Sequence, residues 1–138
     1  MKRLAAGILL IAWALWLGGA VATMLFVQRL FHNDRALAVL AAPQLFLFFE
    51  KYQIVLAASS IIGLVISRRR PSVTLASLIL TAAVAAGISA FIITPGIEHL
   101  RLTGQQATAA FRRLHGISML VYLLEVAVLL ATGFVFGK

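Results

Sequence analysis

The sequence predicts an all-α integral membrane protein, a bundle of four transmembrane helices. Three observations carry that prediction. The 138 residues are 62% hydrophobic and only 12% charged, where soluble domains run at roughly 45–50% and about 25%. The mean hydropathy is +1.04. The charges are also unevenly placed, falling mostly between four long apolar runs. A membrane-crossing helix needs about 20 mostly apolar residues, and each run is long enough. Such hydrophobicity excludes a disordered chain. The absence of cysteine excludes disulfides, thiolate nucleophiles, Cys-ligated zinc and iron–sulfur clusters.

The first span is residues 4–27, which carry no charged side chain. Lys2 and Arg3 before it, and Ala20-Val21-Ala22 inside it, resemble a secretory signal. The apolar core of such a signal is only about 7–15 residues, so this segment is expected to remain as a helix. The second span is placed at 44–67, with Glu50 and Lys51 inside it. Residues 29–43 then form a short amphipathic connection at the interface. Pro43 falls in the first turn of the helix, where its missing N–H is not needed. The third span, 72–95, is uncharged and closes on Pro95 and Gly96. The fourth is 111–137. The chain, 1–138, reads as one transmembrane domain without an internal repeat.

Four crossings place the N-terminus, the second-to-third loop and the C-terminus on one side. That side holds Lys2, Arg3, Arg68, Arg69, Arg70 and Lys138, and no acid. The other holds Arg29, Arg35, Arg101, Arg112 and Arg113, with Asp34 and Glu98 among them. Cytoplasmic loops collect Lys and Arg, so both termini are expected in the cytoplasm of a bacterial inner membrane. The arginine triplet is a topology anchor, or else a site for anionic lipid. The net charge of +8 therefore reads as orientation. The basic surface is too short for nucleic acid.

Polar residues inside a bilayer avoid lipid. In the fourth span His115, Ser118, Tyr122 and Glu125 are spaced three, four and three apart, which puts them on one helix face. Arg112 extends the stripe outward. The second span has a matching stripe of Glu50, Gln53 and Ser60. At about 1.5 Å per residue, Glu50 and His115 lie at similar depth, with Arg112 close by. This cluster is either a ligand site or a polar clamp that fixes helix register. Glu125 lies deeper, level with Ser60 and with Ser77 or Thr81. With no cation at that depth, it is expected to be largely neutral and hydrogen-bonded, either as a functional intramembrane acid or as a structural carboxyl bonded to a Ser or Thr. Ala14, Gly18 and Ala22, and Gly87 in the third span, form small-residue faces that allow close helix packing, within the fold or against a partner. Trp13 and Trp16 fill space in the bundle, or stack on a ligand.

The string Phe111-Arg112-Arg113-Leu114-His115-Gly116-Ile117-Ser118 resembles the opening of the last helix in the transmembrane-protein-205-like family, also filed as domain of unknown function 4149. Trp16, Gly18, Gly19, Phe26, Arg29 and Leu30 fit the same pattern. So do Pro43, Phe46, Phe48 and Phe49, then Thr94-Pro95 and Leu100-Arg101. The family often has Asn four residues after the Ser, where this chain has Tyr122. The resemblance implies a four-helix membrane protein without established catalysis. It extends distantly to copper-resistance-protein-D-type membrane domains, as fold analogy only.

Three functional readings follow. One is a non-catalytic membrane module, alone, as a homo-oligomer or as an accessory subunit of a larger membrane complex. Another is binding of a metal such as copper, of haem or of a small ligand at the outer side. There His32, His99 and His115 offer imidazole, and Glu50 and Glu98 offer oxygen. The last is transport of a proton, ion or small solute past Glu50, His115, Tyr122 and Glu125. Catalysis has little support, because Ser-His-acid arrangements and phosphate loops are lacking. No cofactor is specified.

Overall fold

A computed structural model describes residues 2–67 and 72–136. The arginines at 68–70 and Lys138, which carry much of the orientation argument, lie outside the described residues. The elements are α1 (Lys2–Asn33), α2 (Arg35–Ile66), α3 (Val73–Ile88), a π-helical turn (Ser89–Ile93), α4 (Thr94–Leu102) and α5 (Ala109–Phe136). From Val73 to Leu102 the chain stays helical, so α3, the π turn and α4 form one rod. Four rods result, each long and apolar enough to cross a membrane. The fold is therefore the all-helical, four-span bundle that the sequence predicts.

The rods run further than the expected spans. A helix of 32 residues is about 48 Å long, against a hydrocarbon core of about 30 Å. Counting uncharged residues finds only the part inside hydrocarbon. Residues 29–43 are accordingly no separate connection. Arg29 to Asn33 complete α1, and α2 begins at Arg35. Asp34 alone makes the turn, with extended backbone and its side chain accepting from Leu37 N at 3.0 Å. This is an N-cap. Pro43 consequently sits well inside α2, not in its first turn.

The third rod likewise passes through Pro95. A helix-interior proline clashes with the carbonyl four residues earlier and cannot donate. Here the backbone widens just before it, and Thr94 N–H reaches back five residues to Ser89 O. Pro95 then falls in the first turn of α4. The rod ends in a Schellman motif: Gly104, at φ +71°, donates to Arg101 O, and Gln105 N donates to Leu100 O at 2.8 Å. Thr108 caps α5 by accepting from Phe111 N.

α1 lies mainly along α2, and α3 along α5. The main core joins Ala12, Trp16 and Ala20 of α1 to Phe49, Leu56 and Ala57 of α2, Ala82 and Ala86 of α3, and Leu129 of α5. A smaller layer of Leu9, Leu64 and Ile79 closes the end nearest the termini. Leucine, valine and phenylalanine side chains elsewhere point outward in large numbers, as a lipid-facing surface requires.

Within the chain, the expected small-residue faces are not the ones that pack. Ala14, Gly18 and Ala22 are exposed, and a Cβ on Gly18 or Gly87 would meet nothing within 4 Å. Close helix contact instead uses Gly19, where a Cβ would lie 3.0 Å from the Phe49 ring, and Gly63, where it would lie 3.1 Å from Leu9. Spacing of four recurs on several faces of a helix, and the face that carries Leu9 and Trp16, with Ala12 between them, is the one that turns inward.

Candidate functional site

Toward the end of the bundle that carries the Asp34 turn and the α4–α5 loop, the rods border a partly open cavity of about 700 Å³. Its walls are largely apolar, from Met24 and Phe31 of α1, Phe46 of α2, Ile97 of α4 and Met119 of α5. The polar residues Glu50, Gln53, His115, Ser118 and Tyr122 all line it. These are the outer parts of the stripes expected on the second and fourth spans; Ser60, Glu125 and Arg112 of the same stripes are not in the lining.

Glu50 is buried, with 8% of its surface exposed. Its Oε1 accepts from Ser89 Oγ at 2.9 Å and from Thr94 Oγ1 at 2.5 Å. Both hydroxyls come from the margins of the π turn. Residues five apart in a regular α-helix point about 140° away from each other. The i→i+5 step of the turn brings them to the same side, where one carboxylate oxygen receives both. Sequence reading missed Ser89 and Thr94 because it took Pro95 as the end of a helix. A proline inside an apolar run was the available signal.

Gln53, one turn deeper, is 1% exposed, and its Oε1 has no hydrogen-bond partner. Tyr122 crosses from α5 and donates its hydroxyl to Ala20 O of α1 at 2.5 Å. Its ring packs edge-on to Phe46 and Phe49, with centroids 5.8 and 6.2 Å away. At the rim Arg101 and Glu98 form an i,i+3 ion pair at 2.7 Å, and both line the cavity.

Other expected members lie elsewhere. Arg112 is exposed and turns back to donate to Ala107 O at 2.9 Å, because a long cationic side chain at a helix start reaches for water and loop carbonyls. His115 is also exposed, and it stacks on Phe111 with ring planes 6° apart instead of pairing with Glu50. Of the three histidines, only His115 lines the cavity; His32 and His99 are exposed. Among the described residues no three His, Asp or Glu side chains converge on a point that could hold a metal ion.

Glu125 is not part of the cavity lining. It is 1% exposed within the core, and its Oε1 accepts from Trp16 Nε1 at 2.7 Å. The donor is therefore an indole and not the expected Ser or Thr. Thr132 bonds its own helix at Val128 O, and Ser60 Oγ is buried without a partner. Trp13 likewise donates to Leu129 O at 2.8 Å. The two tryptophans fill space as expected, and both also tie α1 to α5.

No family model, curated protein or solved structure matches the chain. The reading of the site rests on its own chemistry.

Proposed function

We propose that this protein is a multi-pass membrane module that holds a small molecule in the cavity between α1, α2, α4 and α5. One observation carries the reading: a space of about 700 Å³ with apolar walls and a few polar groups gathered inside it. Ligand sites typically have volumes of about 300–1,000 Å³ and just this division of surface. A pure register clamp would need the polar groups but not the space. A metal or haem reading draws less support, because the histidines are apart. The Leu114-His115-Gly116-x-Ser118 string supports membership of the transmembrane-protein-205-like family, which adds no substrate.

Filling the cavity tests the proposal. Ser118→Trp places an indole where the lining is now a half-buried hydroxyl. Leu123→Trp adds the same ring on an exposed position of the same helix, away from the cavity. Calorimetric titration of the detergent-purified protein with octanol should show binding weakened about tenfold or more by Ser118→Trp and unchanged by Leu123→Trp. That factor corresponds to about 1.4 kcal/mol. Equal binding by both variants contradicts a cavity site.

The orientation belongs to the same proposal. Lys2, Arg3, the 68–70 arginines and Lys138 support cytoplasmic termini. A green fluorescent protein fused after Lys138 should fluoresce in bacterial cells, and alkaline phosphatase fused there should stay inactive. The reverse pattern would invert the topology.

A further inference from the structure

We infer that the cavity selects a lipophilic cation with N–H donors, a protonated alkylamine in chemical class, and that Glu50 receives its charged end. The inference rests on the reading of the cavity as a ligand site and adds the identity of the ligand class.

The argument is a count of donors and acceptors at the cavity floor. Ser89 and Thr94 both donate their hydroxyl protons to Glu50 Oε1. Tyr122 donates its own to Ala20 O. Each hydroxyl has one proton and two lone pairs, so with its proton used each keeps only acceptor capacity. Glu50 Oε2 takes neither of the hydroxyl bonds, and an ionised carboxylate is acceptor-only. Gln53 Oε1, fully buried, is an acceptor without a partner. Leaving such an atom unmatched costs about 1–3 kcal/mol, and a rotation of the amide toward the cavity would let a bound donor remove that cost. Around the free Glu50 Oε2 the two neighbouring hydroxyl protons are therefore already used, and the donors left on the lining are the Gln53 amide N–H groups and the Ser118 hydroxyl.

Charge points the same way. Glu98 is paired with Arg101, while Glu50 forms no ion pair with any described Lys, Arg or His. The cavity contains one unpaired acid next to aromatic rings, Phe46, Phe49 and Tyr122. Ring faces also attract cations, more strongly in a desolvated site. An anion would meet the carboxylate, and a neutral hydrocarbon would leave the acceptors unmatched. A metal ion would find no third ligating side chain of the His, Asp or Glu type, and the mostly apolar walls suit an alkyl chain.

Three probes with one chain length make the test: octylamine, protonated at pH 7 as a lysine amine is, octanol and octanoate. Each is titrated calorimetrically into the purified full chain, with protein-free micelles as the blank. Octylamine should bind about tenfold or more tighter than octanol, and octanoate should bind weakest. Glu50→Gln should weaken octylamine by about tenfold to a hundredfold, the range for a hydrogen bond to a charged group, and weaken octanol by a smaller factor. Gln53→Met, which keeps the volume and removes the acceptor, should weaken octylamine severalfold. It serves as a second measurement if Glu50→Gln fails to fold. Octylamine and octanol binding equally, octanoate binding tightest, or octylamine binding unmoved in the folded variants overturns the cation reading alone. If none of the three probes binds, the cavity proposal falls with it.

Discussion

Trp16→Ala should lower the stability of the bundle by about 3 kcal/mol, near the bottom of the range for emptying a buried aromatic site. The indole is completely buried at the centre of the core. It touches residues of several rods and donates to Glu125 on α5. Two effects contribute, and their sizes differ. Hydrogen bonds between transmembrane helices average about 0.6 kcal/mol and reach about 1.7. The packing contacts of a large ring are many and individually small, and together they exceed one bond. The lower part of the range is expected because an unfolded helix in lipid still has an apolar environment, so the water-transfer part is reduced. Trp16→Phe separates the two effects. It keeps most of the ring but leaves both oxygens of Glu125 without a partner, since Oε2 already has none. Its cost should be about 1–2 kcal/mol. Glu125→Gln retains a carbonyl oxygen to accept the indole N–H and should cost less than about 1 kcal/mol. Unfolding followed by circular dichroism in mixed micelles measures all three. An order in which Glu125→Gln is the worst would mean that the carboxyl has a role beyond accepting from Trp16.

The same contrast explains what was legible in the sequence. Helix number followed from apolar length, and the polar sides of the second and fourth spans followed from periodicity. Glu50, Gln53, His115, Ser118 and Tyr122 do line one cavity. Sequence periodicity gives the face of a helix but not the direction of a long side chain. Arg112 and His115 share that face, yet one turns to a loop carbonyl and the other stacks on Phe111. Nor does it give the rotation of a helix whose faces are all apolar, so Ala14, Gly18 and Ala22 could not be distinguished from the packed set around Trp16. The largest omission was the third rod. Its Ser and Thr look unremarkable at α-helical spacing, and only the π turn before Pro95 puts Ser89 and Thr94 together against Glu50.

Removing those two hydroxyls should destabilise the protein more than removing the whole polar group does. In Ser89→Ala/Thr94→Val the Glu50 carboxylate stays buried and loses both donors. A buried group left unsatisfied costs about 1–3 kcal/mol, more if charged, and breaking one side of a buried charged arrangement is the expensive case. In the triple variant that adds Glu50→Leu, neither donors nor acceptor remain. Apolar replacement of a complete buried polar set is often neutral or stabilising, so most of the lost stability should return. Glu50→Leu alone should be mild, because a serine or threonine hydroxyl in a helix can donate to the carbonyl four residues before it. Thermal unfolding of the four proteins in one detergent gives the ranking, and octylamine titration gives the second readout. The triple variant should be stable and unable to bind octylamine. A register clamp makes the opposite prediction, since a group whose role is to hold α2 against the π turn leaves the triple variant at least as unstable as the double. Recovery of stability with loss of binding would show that Glu50 serves the cavity and is not needed to hold the fold.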